Sequence, residues 1–220
     1  MTDTYHSPYE ACPQVTEQAG EALKQQGRDA GANGSAGANG SAELYRSEFE
    51  AYPFLADSDT DIRCDFEIHT DRMSSMAGVI ASMCPERCEE ILKVDELIYH
   101  ANPTLRTFMS ITDEEIEWLH ERLVELKAEC DAANAFPETG TKCRTVLPAG
   151  TTRGAYAHVL RVEGKQMVRI LYRARERGIV FPDSLIDFAN LVSGYFHMLG
   201  IWMNMKDGFQ EIPFVSRNYK

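Results

Sequence analysis

Three basic side chains recur at intervals of four residues in the second half of the chain, and they have the clearest potential for chemistry. Arg161, Lys165 and Arg169 would lie along one side of a helix, because residues four apart are neighbours on a helical surface. Such a row could hold the phosphates of a polyanion or a row of carboxylates. The same pattern is also typical of a solvated helix face, so the spacing alone leaves both interpretations open.

A proline and glycine turn followed by a long amphipathic segment positions this basic row. Pro148 and Gly150 break the preceding chain, and Thr151 or Thr152 is the predicted N-cap of the helix. Apolar residues at helical spacing are expected to face a core: Tyr156, Leu160, Met167 and Leu171.

Hydrophobic periodicity predicts four further helices. The first runs to the break at Cys84–Pro85, a second follows, and the third begins at a capping box formed by Thr112 and Glu115. The fourth helix carries the basic row and ends at Gly178, and Pro182 opens the fifth as its first residue. The fifth has a predicted core stripe of Leu185, Ala189, Val192, Phe196, Leu199 and Met203. Because no segment shows the two-residue alternation of a strand, we predict an all-α fold, an antiparallel up-down bundle of five helices resembling ferritin.

The first part of the chain differs in composition from the rest. Residues 1–26 are polar and could form one short helix, and residues 27–43 contain the sequence GANGSA twice in succession. That repeat predicts a flexible linker. The helical-bundle domain is expected at residues 44–215, with a short tail at residues 216–220. The N-terminal segment is either a disordered tail or a docking segment for a partner or a protein shell.

Charge and composition exclude several classes of function. With 22 basic and 34 acidic residues the net charge is -12, which argues against nonspecific binding to nucleic acids or anionic membranes. No apolar run is long enough to span a bilayer, and the N-terminus lacks the features of a signal peptide. The six cysteines are therefore expected as reduced thiols in a cytoplasmic protein, or in a protein microcompartment if the N-terminal segment docks there.

Three collinear blocks resemble the ATP:cob(I)alamin adenosyltransferases of the propanediol-utilisation type. VLPAGTTRGAYAHVLRV is similar to the family signature "LPGG…ALHxAR", FEIHTDRMSSMAG to "TDELSSAIG", and PDSLIDFANLVSGYFHMLGIWMNMKDGFQE to "LNRLSDYLFxLARY". The resemblance covers residues 62–215. It implies a five-helix bundle, usually a homotrimer, with active sites at the subunit boundaries.

The resemblance also implies a reaction. In that family the cobalt(I) of a reduced corrinoid, cob(I)alamin, attacks the 5′ carbon of ATP, and tripolyphosphate departs. A protein that does this must hold and neutralise the triphosphate with cations and Mg²⁺, and must align cobalt and carbon in a dry pocket. Expected partners are a cobalamin reductase or an adenosylcobalamin-dependent enzyme.

The resemblance assigns roles to particular residues. Lys165 falls on a phosphate-contacting arginine and Arg169 on the last arginine of the family's "RRAER" run, so these two are the predicted catalytic residues. Lysine keeps the charge but loses the bidentate fork of arginine. Arg161 falls on an arginine that forms a structural salt bridge with an aspartate of the first helix, here Asp71. Asn190 falls on an asparagine of the nucleotide site.

Several motif positions carry other residues. Thr145 stands where the family has the aromatic side chain that shields the lower face of the cobalt. The phosphate loop "TKTGDxG" has no counterpart between residues 44 and 64, although backbone amides of such a loop cradle phosphates. The resemblance therefore leaves an alternative, a non-catalytic corrinoid carrier or regulatory bundle that has lost the nucleotide loop. The other replaced positions are Gln166, Val168, Leu191 and Gly194.

Two cysteines near the end of the first helix are candidate metal ligands. Cys84 and Cys88 could offer two thiolates, with His69 or Cys64 completing a tetrahedral set. One close pair without a second favours a structural role, so we predict no resident metal site.

Two histidines have open interpretations. His158 lies on the fourth helix and His197 on the fifth. Either could reach the cobalt of a corrinoid as an imidazole ligand. A histidine on a mostly apolar helix is also typical of a satisfied core residue.

Overall fold

Five α-helices form nearly all of the regular structure in the computed structural model, which describes residues 45–57, 61–136, 145–215 and 217–218. A 3₁₀ turn joins the first two helices and another follows the second. The all-α fold class is confirmed, and among the described residues the strand-like pairing is limited to an isolated bridge. The helices are α1 (Ile62–Met83), α2 (Cys88–Ala101), α3 (Asp113–Ala132), α4 (Thr152–Glu176) and α5 (Asp183–Lys206).

The chain divides into two units at Glu48 and Phe49, and all five helices belong to the second. The predicted N-terminal segment and linker, residues 1–26 and 27–43, lie outside the described residues. None of the described helices combines the length and the apolarity that a bilayer crossing requires.

Local signals account for where the helices begin. Thr112 and Glu115 form the predicted capping box, with the Glu115 amide 3.2 Å from the Thr112 hydroxyl and the Thr112 amide 3.0 Å from the Glu115 carboxylate. Thr151 caps α4. Pro182 is the N-cap of α5 rather than its first helical residue, because its extended ψ of 146° places it just outside the helix. That prediction was wrong by one position.

Helix α5 has the most buried residues of the five described helices and packs against α3 and α4, and α1 packs against α2 and α4. The predicted core stripe of α5 is fully buried. On α4, Leu160, Met167 and Leu171 are buried as predicted, but Tyr156 is 44 % exposed. The inner side of this end of α4 is formed by Gly154 and Ala157, which a Cβ at Gly200 of α5 would approach to 3.1–3.3 Å. The helices are too close there for a large side chain.

The segment before α4 is held by the segment after α5. Val146 and Pro213 form an antiparallel bridge. The Leu147 amide donates to the Ile212 carbonyl at 2.9 Å, and the Phe214 amide donates to the Thr145 carbonyl at 2.9 Å. These bonds hold Thr145 and Val146 against the segment that follows α5.

Candidate functional site

A groove of about 490 Å³ lies between α4 and α5 and is also lined by Thr145 and Val146 of the segment before α4. This volume is within the range of small-molecule sites. Four of the six residues predicted for the site line it, and none of the described residues that line it is acidic. The lining residues are Thr145, Val146, Arg161, Lys165, Asn190, Ser193, Gly194 and His197.

Close packing of the two helices forms the floor of the groove. A Cβ on Gly164 would lie 2.9 Å from the Cα of Ser193, so glycine is required for this approach. The Ser193 hydroxyl donates to the Arg161 carbonyl at 2.9 Å, which ties the helices together one turn away. Asn190 and His197 each lie about one turn from Ser193, on either side of it along α5, and they share its face because residues three, four and seven apart do so.

The cations of the groove form no ion pair with another residue that the structure describes. Arg161 is half-buried, its Nε has no hydrogen-bond partner among the described residues, and burial lowers its pKa. Lys165 is exposed and forms no ion pair with another described residue. An unpaired cation that is half-buried, as Arg161 is, is costly unless a ligand supplies the counter-charge. The groove is therefore suited to an anion.

Two imidazole rings lie beside the cations. The ring centroids of His158 and His197 are 5.8 Å apart. Burial, with the charge of Arg161, lowers the pKa of each to about 4, so both rings are neutral near neutral pH. Both nitrogens of His158 and Nδ1 of His197 are buried without a hydrogen-bond partner among the described residues. Such unpartnered polar atoms are rare in folded proteins, and here they sit behind a groove.

A buried asparagine that the sequence analysis did not identify holds the entry to α4. Asn204 is fully buried, and its Oδ1 accepts from the amide and hydroxyl of Thr151 at 2.9 and 3.2 Å. Its Nδ2 donates to the Ala149 carbonyl at 3.0 Å and to Glu211 at 2.8 Å. The two glycines of the LPAG turn region adapt to it, since a Cβ on Gly154 would lie 2.1 Å from Oδ1. Gly150 and Gly154 were the features of the sequence that could have indicated a side chain packed tightly against this turn.

An arginine in the first turn of α4, which the sequence analysis did not identify, fixes this end of the helix through ion pairs. Arg153 forms ion pairs with Glu86 at 3.1 Å and with Asp207 at 2.6 Å. It thereby joins the start of α4 to the turn after α1 and to the end of α5. These links, with those of Asn204, set where the basic row of α4 begins relative to α5.

Two predicted site residues lie outside the groove. Arg169 is exposed one turn beyond Lys165 on α4. Asp71 borders a different groove of about 370 Å³, with Tyr52, Tyr99 and Asn102 among its lining residues. Within the described parts of one chain Asp71 and Arg161 form no ion pair, so the predicted salt bridge would have to join two protomers.

The cysteines near the end of α1 are packing residues in this chain. Cys84 is fully buried and Cys88 is partly buried against the core. Burial raises the pKa of the Cys84 thiol, which disfavours the thiolate that a metal needs. Within the described ranges, no three histidine, cysteine or acidic side chains come together as a metal site.

Comparison by sequence gives no match. No family model matches the chain, and no curated protein does.

Comparison by structure gives clear matches. A phenylalanine-to-alanine variant of the PduO-type ATP:corrinoid adenosyltransferase from Lactobacillus reuteri, complexed with cobalamin and ATP, has a TM-score of 0.61 at 18% identity, over 71% of this chain and 88% of that one. A phenylalanine-to-histidine variant with the same ligands gives 0.61 and 18%, over 78% and 98%. An arginine-to-lysine variant complexed with ATP gives 0.60 and 18%, over 71% and 89%. The chain thus has the fold of PduO-type adenosyltransferases, and the predicted resemblance is confirmed at the level of the fold.

Proposed function

We propose that this chain is a corrinoid adenosyltransferase, which transfers the 5′-deoxyadenosyl group of ATP to cob(I)alamin and releases tripolyphosphate. One observation carries the proposal. The groove between α4 and α5 brings Thr145, Arg161, Lys165 and Asn190 together, in a fold whose solved examples are complexed with cobalamin and ATP.

The reaction requires mainly that the protein neutralise the triphosphate and align the cobalt with C5′. A cobalt–carbon bond forms as the bond between C5′ and its oxygen breaks, and the electron pair of that bond leaves with tripolyphosphate. The negative charge that develops on the leaving group is stabilised by fixed cations. Arg161 and Lys165 would supply such cations in a groove whose described lining has no carboxylate, and Mg²⁺ that accompanies ATP would supply more. Asn190 would orient the nucleotide.

Arg169 would act at the rim. It is exposed on the same helix as Lys165, and we expect it to contact the far end of the triphosphate. Loss of one charge-assisted phosphate contact costs about 1.5–3 kcal/mol, which corresponds to roughly 10- to 150-fold in kcat/KM.

The test is an anaerobic assay with cob(I)alamin and MgATP, followed by the change in corrinoid absorption when the cobalt–carbon bond forms. Lys165→Ala and Arg169→Ala should lower kcat/KM by the factors above. Lys127→Ala is the matched control, because Lys127 is an exposed lysine paired with Asp131 on α3. Equal rates for the wild type and for the Lys165 and Arg169 variants would remove both residues from the site.

The corrinoid carrier remains the second candidate, because the sequence lacks the family's phosphate loop between residues 44 and 64. Calorimetry separates the two functions. Cobalamin uptake with no measurable ATP binding would favour the carrier, and binding of both ligands would favour the enzyme.

We further propose that the chain assembles as a homotrimer in which Asp71 of one protomer pairs with Arg161 of the next. Apolar side chains support an interface on the outer sides of α1 and α4, which pack together. Each of these side chains is 44–50 % exposed: Ile68, Val79, Tyr156, Val159 and Val162. Burial of such a strip away from water would favour assembly.

Sedimentation velocity tests the assembly. Val159→Glu should shift the wild-type trimer toward monomer, because it would bury a charge in the apolar strip. Val124→Glu is the control, since Val124 is 51 % exposed on α3 and should leave the mass unchanged. A wild-type monomer, or a trimer that tolerates Val159→Glu, would contradict the proposal.

A further inference from the structure

The groove of about 370 Å³ that Asp71 borders is lined by residues of α1 and α2 and of the segment before α1, and we call it the α1–α2 groove. It shares no lining residue with the groove between α4 and α5. Its volume is within the range of small-molecule sites. Apart from Asp71, none of its residues has a part in the proposed reaction.

Arg106, which follows the second 3₁₀ turn, holds the outer wall of the α1–α2 groove in place. Its guanidinium carbon lies 3.8 Å from the centroid of the Phe54 ring. The same side chain pairs with Asp57 at 3.3 Å and with Glu67 of α1 at 2.6 Å. Because Phe54 and Asp57 lie on either side of Leu55 in the chain, these contacts hold the segment that carries Leu55, a lining residue, against the bundle.

Glu67 brings a buried carboxylate to the groove, and one of its oxygens has no partner. The residue is 3 % exposed, and its Oε1 accepts from Arg106 Nε at 2.6 Å. Its Oε2 is buried without a hydrogen-bond partner among the described residues. A buried acceptor without a partner is costly and rare. Since Glu67 lines the groove, a donor bound there would complete its hydrogen bonds.

The charge around Glu67 is negative on balance. Arg106 is shared by Glu67, Asp57 and, at 4.0 Å, Asp61, and Arg63 pairs with Asp61 at 2.6 Å. Among the described ion pairs of this cluster, three carboxylates therefore face two guanidinium groups. Asp71 adds a further carboxylate at the border of the groove. The surroundings favour a cation over an anion or a neutral molecule.

Asn102 adds an acceptor to the groove, and two tyrosines add aromatic rings. The Asn102 amide nitrogen donates within the chain, to the Glu67 carbonyl at 2.7 Å and to the Thr70 hydroxyl at 2.9 Å, and its Oδ1 accepts from no described residue. Burial, and then the charge of Glu67, raises the pKa of Tyr52, so this ring lies close to the carboxylate. Tyr99 lines the same groove, and aromatic faces attract cations.

We propose that the α1–α2 groove binds a small organic cation, a primary ammonium on a short alkyl chain. The ammonium, which has three donors and no acceptor, would donate to Glu67 Oε2 and Asn102 Oδ1. The alkyl chain would cover Leu55 and Tyr99, which are 50 % and 59 % exposed and gain from removal from water. This site goes beyond the proposed adenosyl transfer and does not rest on it.

Calorimetry with n-butylammonium and n-butanol tests the requirement for charge, because the two probes have the same alkyl chain and differ in the head group. The measurement uses the full chain in phosphate buffer, which adds no competing amine. The protein should bind n-butylammonium about tenfold or more tightly than n-butanol, since the ammonium makes charge-assisted hydrogen bonds. Absence of n-butylammonium binding, or equal affinities for the two probes, would overturn the proposal.

Two variants locate the site. Glu67→Gln removes the charge, keeps the shape, and should weaken n-butylammonium binding by about tenfold or more. Tyr99→Leu changes an exposed ring and should weaken binding several-fold; it serves where Glu67→Gln disturbs the ion pair with Arg106. Glu96→Gln is the control, because Glu96 is an exposed glutamate of α2 paired with Lys93, and it should leave binding unchanged.

Unchanged n-butylammonium binding in a folded Glu67→Gln protein would overturn the assignment, as would unchanged binding in Tyr99→Leu if Glu67→Gln does not fold. The assay of adenosyl transfer tests the proposed function separately, so the failure of one proposal leaves the other standing.

Discussion

Substitution of Gly154 by alanine should destabilise the protein through a single side chain, that of Asn204. The added Cβ would lie 2.1 Å from Asn204 Oδ1, and the three nearest atoms all belong to Asn204. Either the helix shifts or Asn204 rotates and gives up its bonds to Thr151, Ala149 and Glu211. Overpacking costs about 1–3 kcal/mol, and each buried partner left unsatisfied costs about 1–3 kcal/mol.

A double-mutant cycle separates the steric cost of the Cβ at Gly154 from the cost of losing the hydrogen bonds of Asn204. Asn204→Ala alone should lower the free energy of unfolding by roughly 3–6 kcal/mol, because Glu211, the Ala149 carbonyl and the Thr151 amide lose a buried partner. In that background Gly154→Ala has space and gains helix propensity, so it should be neutral or stabilising by up to about 1 kcal/mol. The coupling between the two changes should be about 2 kcal/mol or more.

Urea unfolding followed by far-ultraviolet circular dichroism measures all four proteins at one protein concentration, since assembly would make stability depend on concentration. Gly78→Ala is the control, because the nearest atom to a Cβ there is 3.9 Å away. It should stabilise both backgrounds equally. Additive effects of Gly154→Ala and Asn204→Ala would refute the steric reasoning.

Two further predictions concern charge. Lys165→Arg should bind ATP several-fold more tightly than the wild type in calorimetry, because the guanidinium restores a bidentate fork. The control Lys127→Arg should leave the affinity for ATP unchanged. Equal affinities for all three proteins would place Lys165 away from the phosphates. Burial lowers the pKa of His69 below 6.5, so the unfolded chain takes up this proton at higher pH than the folded one and stability falls as the pH drops below about 6.5. His69→Leu should therefore lose less stability than the wild type between about pH 7 and about pH 5 in urea unfolding, and parallel losses would contradict the assignment.

The helix ends were predictable because they depend on near neighbours in the chain. The Thr112 and Glu115 capping box, the Thr151 cap and the left-handed Gly178, with φ of 83°, each need only a few residues to form. A spacing of four residues does not, however, keep successive side chains on one line along the helix, because their direction rotates around the helix axis. Each step of four residues turns about 40° beyond a full turn, so Arg169 points well away from Arg161, and it lies outside the groove that Arg161 lines.

The sequence by itself determined the five helices, the buried stripe of α5 and the cationic side of α4, since these follow from periodicity and local capping. Only the tertiary structure decided that His158 and His197 lie together, that Asn204 holds the start of α4, and that Asp71 borders another groove. Those contacts depend on how closely two helices approach. At Gly164 and Gly200 the missing side chains let α4 and α5 meet almost backbone to backbone, and small residues at a helix crossing set which side chains become neighbours.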